Sequence, residues 1–207
     1  MKQLWFVLSW FCLVPQVMAS DGFFYAGAAL GDSVLDSGEL TNLIHDGSIS
    51  GVSYDKSDIS YELILGARFH QNLYGEVSYA KLGDFKVDGR SDGSVIHAAQ
   101  SITGTLDINA LKLALIANKH IGRATHLYLR GGLYQSWAES QVTSQSSDTQ
   151  SGNGIHYGLG LGYIFSSRWQ VQLDWTRYRD IDYTIPHAAQ NASAVMDTFS
   201  VRWLRMF

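Results

Sequence analysis

The feature that most constrains this chain is a period-two alternation of apolar and polar residues along most of its length. In the segment 61–69, Tyr61, Leu63 and Leu65 share one face of an extended strand, whereas Glu62 and Arg68 share the other. Eight segments show this pattern, at residues 24–30, 61–69, 73–79, 111–117, 127–137, 157–165, 169–175 and 199–203. The alternation predicts an all-β protein with eight strands.

The connections between these segments alternate in length. Short turns are expected at 71–72, 118–124 and 166–168, and long polar loops at 32–58, 83–104, 138–154 and 179–196. Short turns at one end and long loops at the other are typical of an outer-membrane barrel. An open sheet edge would leave backbone amides unpaired in hydrocarbon, at several kcal/mol each. We therefore expect a closed antiparallel eight-stranded transmembrane barrel, with the first and last strands paired.

The amino end carries a predicted secretory signal peptide over residues 1–19. One Lys precedes an apolar stretch from Leu4 to Val14, and small or apolar residues lie at Val17 and Ala19. About 11 apolar residues are too few for a membrane helix, which needs roughly 20. Cleavage after Ala19 leaves one barrel domain, 20–207, without cysteine. The predicted destination is the bacterial outer membrane.

Composition excludes several classes of protein. Only 16% of the 207 residues are charged and 13% are aromatic; soluble domains carry about 25% charged residues, and disordered chains lack aromatic residues. The net charge of −4, with no run of Lys and Arg, argues against a nucleic-acid partner. No metal or cofactor is expected, because the seven histidines lack ligand spacing. His70, His120 and His126 flank short turns and are interpreted as solvated.

The two faces of the strands distinguish a membrane barrel from a soluble ligand-binding barrel. One face is nearly free of charge, so we expect it to contact lipid and lipopolysaccharide. Aromatic residues mark both of its ends, with Phe24, Phe69, Phe165, Trp169 and Phe207 at the short turns and Tyr61, Tyr79, Trp137, Tyr157 and Trp175 toward the long loops. These sets predict the two interfacial girdles of an outer-membrane barrel.

The opposite face carries seven charges that are predicted to point into the lumen: Glu62, Arg68, Glu76, Lys112, Arg130, Asp174 and Arg202. An eight-stranded barrel is only wide enough for side chains to fill, and buried charges must pair. A structural plug is therefore favoured over a selective pore. Glu62 with Lys112, and Arg130 with Asp174, are plausible pairs.

Four stretches resemble the OmpA-like, or opacity-type porin, family of eight-stranded barrels: FYAGAALG (24–31), LILGARFHQNLYGEVSYAKLGDF (63–85), LDWTRYRDID (173–182) and DTFSVRWLRMF (197–207). The resemblance implies that Trp203 and Phe207 form a terminal signal read by the barrel-insertion machinery. Arg202 stands where the family usually has Gly, and Arg205 where it usually has an aromatic residue. The peptidoglycan-binding domain of longer members is not expected.

The sequence leaves the function open between a surface protein, a pore and an enzyme. The resemblance implies a structural surface protein, with adhesion to a host-cell or extracellular ligand through the long loops. Candidate contact residues are Leu43, Ile44, Ile49, Tyr54, Phe85, Ile96, Tyr183 and Ile185. A small-solute pore is the alternative. A lipid A-modifying enzyme is disfavoured because a His-x-Ser motif is missing; His156 is followed by Tyr157 and Gly158. No catalytic residue is predicted.

Overall fold

The computed structural model describes residues 24–36, 49–93, 100–143, 147–185 and 190–207. These residues form nine strands: β1 (Phe24–Leu35), β2 (Ile49–Asp55), β3 (Ser57–His70), β4 (Leu73–Ser91), β5 (Ser101–His120), β6 (Thr125–Val142), β7 (Asp148–Ser166), β8 (Trp169–Ile185) and β9 (Gln190–Met206). Every strand pairing is antiparallel. The predicted all-β class is confirmed.

Eight of the strands close into a ring in the order β1, β3, β4, β5, β6, β7, β8, β9 and back to β1. The closing pair runs from Tyr25 opposite Met206 to Leu35 opposite Met196. At its base, the Phe207 amide donates a 2.8 Å hydrogen bond to the Phe24 carbonyl. The predicted closed eight-stranded barrel, with its first and last strands paired, is confirmed.

Strand β2 is additional to the eight predicted strands. It continues the line of β3 beyond Lys56 and pairs only with residues 86–91 of β4, with a register shift between Ser50 and Ser53. The loop predicted at 32–58 is therefore wrong for the end of β1, for β2 and for the start of β3. The segment ISGVSYD has no continuous apolar face, since most of its side chains are exposed, and so period-two hydrophobicity did not reveal it.

The strands are also much longer than predicted. Strands β4 to β9 contain 17 to 20 residues each, about twice the 9 to 11 that cross a bilayer. Most of the loops predicted at 83–104, 138–154 and 179–196 belong to these strands. Ile49 and Tyr54 lie in β2 rather than in a loop. Phe85 and Tyr183, proposed as exposed contact residues, are fully buried. Leu43, Ile44 and Ile96 lie outside the described residues.

The reason for the extra length is a reversal of the apolar face along single strands. In the lower half of β5, Leu111, Leu113 and Leu115 point outward and are 43 to 59% exposed. In its upper half, Ile102, Leu106 and Ile108 point inward and are buried. The apolar side chains therefore move from odd to even positions. We infer that the lower half faces lipid and that the upper half faces water around an apolar core.

A glycine at the closing seam provides a test of the ring. A Cβ at Gly27 would overlap the Trp203 carbonyl oxygen and the Leu204 side chain, whereas a Cβ at Gly131 on β6 meets no atom within 4 Å. We expect Gly27→Leu to destabilise the barrel by about 1 to 3 kcal/mol, the usual effect of overpacking. Urea unfolding in detergent micelles, followed by the mobility of unboiled protein on gels, measures the loss.

Gly131→Leu is the matched control, because it adds the same side chain to the lipid-facing surface. Equal stability of the two variants would contradict the close β1–β9 contact.

Candidate functional site

The lower half of the lumen holds the most unusual chemistry of the molecule, a cluster of buried charges. Period-two geometry turns one acidic or basic residue inward on each of six strands: Glu62 on β3, Glu76 on β4, Lys112 on β5, Arg130 on β6, Asp174 on β8 and Arg202 on β9. All six side chains are buried or nearly so. We call these six residues the lumen cluster. Its three acids and three bases balance in formal charge.

Ion pairs connect the cluster across the barrel. Glu76 Oε2 lies 2.6 Å from Arg202 Nη2 and 3.5 Å from Arg130 Nη2, and Arg130 also lies 3.4 Å from Asp174 Oδ1. Lys112 Nζ lies 2.9 Å from Glu62 Oε1. The structure thus brings together both pairs anticipated from the sequence and adds Arg202 to Glu76.

Arg68 does not belong to this cluster. It lies opposite Tyr74 next to the β3–β4 turn, where its side chain is partly exposed, and it takes no part in the ion pairs described above. The inward face of β3 reaches the open end of the barrel at this level. Alternation alone identified the face of Arg68 but not its height.

Tyrosine hydroxyls form hydrogen bonds with three residues of the cluster. Tyr25 donates to Glu76 Oε1 at 2.8 Å, and Tyr128 donates to Asp174 Oδ1 at 2.6 Å. The Lys112 ammonium donates to the Tyr178 hydroxyl at 2.9 Å. A buried charge left without such partners is strongly destabilising. These tyrosines were not among the predicted site residues, although their inward parity on β1, β6 and β8 was a usable signal.

Glycines on neighbouring strands make room for these rings. A Cβ at Gly66 would overlap the Tyr25 ring, and one at Gly160 would overlap the Tyr128 ring. Each glycine faces the lumen beside an aromatic side chain from the adjacent strand. The close approach of a tyrosine ring thus explains the inward Gly160 of β7.

Two further polar side chains form hydrogen bonds with the cluster. Thr176 donates to Asp174 Oδ2 at 2.7 Å, and Arg202 donates to Gln172 Oε1 at 2.8 Å. A cavity of about 10 Å³ beside Glu62 is bounded by Ala29, Ser60 and Tyr178, which is the space of about one water molecule. The cluster fills the lumen at its own level.

Two histidines are buried in the lumen. His126 is 1% exposed and lies against Gly162, so its predicted solvated position is wrong. His156 is equally buried and stacks on Tyr178 with ring centroids 5.8 Å apart. Gly162, directly opposite His126 on the neighbouring strand β7, leaves room for the imidazole ring. The position of His126 near a turn did not indicate this burial.

Above the cluster, the lumen is closed by apolar side chains. Leu82, Phe85, Ile108, Tyr178 and Met196 belong to one buried hydrophobic core in the upper half of the barrel. The inward face, predicted from the sequence to be polar, is polar only in the lower half of the barrel. The upper part of the inward face lies in segments that were interpreted as loops.

Trp203 and Phe207, the predicted insertion signal, face outward at the lower end of β9, where they are 48% and 64% exposed. No group of three or more potential metal ligands occurs in the part of the chain that the structure describes. A search of the same residues finds no helix both long enough and apolar enough to cross a membrane.

Known proteins that are similar to this chain have the same barrel architecture. A family model described as "Outer membrane protein beta-barrel domain" matches residues 5–203. No curated protein sequence matches the chain significantly.

Among solved structures, Neisserial surface protein A is similar at 13% identity and a TM-score of 0.57, covering 90% of this chain and 98% of that one. The N-terminal barrel domain of Pseudomonas aeruginosa OprF has 13% identity and a TM-score of 0.51, covering 89% and 99%. OprG of the same species has 17% identity and a TM-score of 0.51, covering 90% and 93%. At these identities the likeness establishes the fold alone.

The Glu62–Lys112 pair tests whether the lumen cluster holds the barrel together. Removing one partner leaves an uncompensated buried charge, so we expect Lys112→Met to cost about 3 to 5 kcal/mol of unfolding free energy. Adding Glu62→Gln to that variant removes the stranded carboxylate and is expected to restore a large part of the loss. Urea unfolding of protein refolded into lipid vesicles measures both.

The Lys81–Asp107 pair, at 2.5 Å on the outer surface, is the matched control. An exposed pair contributes about 0 to 1 kcal/mol, so Lys81→Met should have little effect. A Lys112→Met variant as stable as Lys81→Met would show that the cluster is not held by charge pairing.

Proposed function

Because the chain belongs to the family of outer membrane protein β-barrel domains, we propose that it is a structural outer-membrane protein that adheres to an external partner through its upper half. The observation that carries this proposal is the folded extension of the barrel above the lipid-facing band. Its outward side chains are mostly polar, and its core contains Phe85, Ile102 and Leu106. We call this part the outer extension; its described residues are 32–36, 49–59, 81–93, 100–108, 138–143, 147–154, 177–185 and 190–197.

The charge of the outer extension favours a cationic partner. Its described residues carry thirteen carboxylates and only six cations, Lys56, Lys81, Lys86, Arg90, Arg177 and Arg179, a formal charge of −7. Two of those cations, Lys81 and Arg177, are already paired with carboxylates. An acidic surface of this kind accelerates association with basic ligands and repels polyanions.

An open groove on the outer extension is the candidate contact surface. It has a volume of about 520 Å³ and is lined by Ser50 and Gly51 of β2, Asp88 to Arg90 of β4, and Ser101 and Ile102 of β5. Strand β2 forms one wall because it pairs with β4 on one edge only. The groove lies on the outward side, where a partner has direct access.

Adhesion is tested with bacteria that carry the wild-type protein or the triple variant Asp55→Asn, Asp88→Asn and Asp92→Asn. We expect the variant to bind cultured host cells less, and the wild-type binding to weaken as salt concentration rises, since exposed charges are screened. Counting adherent bacteria against a deletion strain gives the measurement.

Arg179→Gln, which makes the same surface more acidic, is the control and should retain adhesion. Equal adhesion by the deletion strain would leave only the structural role.

The filled lumen supports a protein without steady conductance. An eight-stranded barrel leaves room only for side chains, and both the lumen cluster and the apolar core above it occupy that room. We expect no stable single-channel current from the purified protein in planar bilayers. A steady current that disappears in Arg130→Ala would favour the pore instead.

A lipid A-modifying enzyme receives no support from the histidines. Such an enzyme needs its base near a nucleophile at the lipid surface, whereas His156 and His126 are buried in the lumen. An unchanged lipid A mass spectrum on overexpression is the expected result.

A further inference from the structure

Basic residues collect at the end of the barrel that carries the short turns. Arg68, Lys119, Arg123, Arg168 and Arg205 lie in these turns or beside them. Among the described residues, no Asp or Glu side chain lies at this end. In an outer-membrane barrel the short turns face the periplasm. The periplasmic end is therefore cationic, whereas the outer extension is acidic.

One of these cations lies on the lipid-facing surface between two aromatic rings. Arg205 of β9 is directly opposite Trp169 of β8 in the register. Its guanidinium carbon lies 5.5 Å from the Trp169 ring centroid and 5.2 Å from that of Phe207. Both distances are within the range of about 6 Å for cation–π contact. The rings therefore hold the guanidinium at the level of the lower aromatic girdle.

A similar arrangement occurs where the outer extension begins, directly above the upper girdle, but there the charge of the arginine is neutralised. Arg177 lies 5.8 Å from the Trp175 ring centroid and donates two hydrogen bonds to the Asp197 carboxylate, at 2.9 and 2.6 Å. Arg205, in contrast, forms no ion pair with any residue that the structure describes. The described residues therefore leave the positive charge of Arg205 without a carboxylate partner.

We propose that Arg205, Trp169 and Arg168 form a binding site for the phosphate of an anionic phospholipid in the periplasmic leaflet. A guanidinium matches phosphate oxygens with two parallel N–H donors. Arg168 precedes Trp169 in the β7–β8 turn and adds a second exposed cation. Leu173 and Val201, above them on the lipid-facing side, continue as apolar surface for the acyl chains. We call this site the periplasmic clamp.

The position of the clamp favours a lipid over a soluble periplasmic anion. Trp169 and Phe207 are 41% and 64% exposed on the same outward face as the leucines of the membrane band. Aromatic residues of this kind lie at the headgroup level of the bilayer. A ligand at Arg205 therefore has its phosphate beside the guanidinium and its tails beside an apolar wall.

The test uses the full chain purified from outer membranes in detergent micelles doped with dioleoyl phosphatidylglycerol or dioleoyl phosphatidylcholine. Native mass spectrometry measures the fraction of protein that retains lipid. We expect wild-type protein to retain the anionic lipid preferentially. Arg205→Gln should lower its apparent affinity about fivefold, the usual effect of one basic residue near a charged membrane surface.

Two controls that each remove a single charge distinguish binding at the clamp from non-specific electrostatic attraction by all the basic residues of this end. Lys119→Gln removes a cation from the same end on β5, across the ring from β9, and Arg179→Gln removes one from the outer extension. Both should retain the anionic lipid within about twofold of wild type. Arg168→Gln changes a residue outside the strand pairing and should also weaken retention of the anionic lipid. It replaces Arg205→Gln if that variant does not fold, which the gel mobility of unboiled protein shows.

Wild-type retention of phosphatidylcholine equal to that of phosphatidylglycerol would overturn the proposal. So would an Arg205→Gln variant that binds like wild type, or a Lys119→Gln variant that loses as much affinity as Arg205→Gln.

Discussion

The hydrocarbon core of a membrane offers no hydrogen-bonding partner, and the architecture of this protein follows from that constraint. Each backbone amide of the lipid-facing band must pair with a neighbouring strand, which requires the first strand to meet the last. Closing eight strands then leaves a lumen that side chains fill. The inward charges of Glu76, Arg130 and Arg202 are stable there because each lies beside an opposite charge.

Each long strand passes from a part surrounded by lipid to a part surrounded by water. Within lipid, the apolar residues face outward and the polar ones inward; above the upper girdle, water lies outside and the apolar residues turn inward. On β5 the change occurs between Ile108 and Leu111. The upper half of the barrel is consequently built like a soluble protein, with its own hydrophobic core. This core closes the lumen from above and supports the groove beside β2.

Charge is distributed in three layers along the barrel axis. The periplasmic end is basic, the lumen cluster is balanced, and the outer extension carries a formal charge of −7 over its described residues. The layers are consistent with the different partners that we propose for the two ends, an anionic phospholipid at Arg205 and a cationic ligand at the outer groove. Neither proposed partner requires passage through the lumen.

The sequence by itself determined the closed eight-stranded barrel and the inward side of six of the seven predicted charges, because period-two alternation depends only on local backbone geometry. It also indicated the pairs of Lys112 with Glu62 and of Arg130 with Asp174. Only the tertiary structure decided the heights of the side chains. The register between strands places Arg68 below the cluster and places the Tyr25 and Tyr128 hydroxyls beside its carboxylates. It also buries His126 against Gly162. The length of the strands was likewise decided in three dimensions, because an apolar residue has the same local pattern whether lipid or a protein core lies beside it.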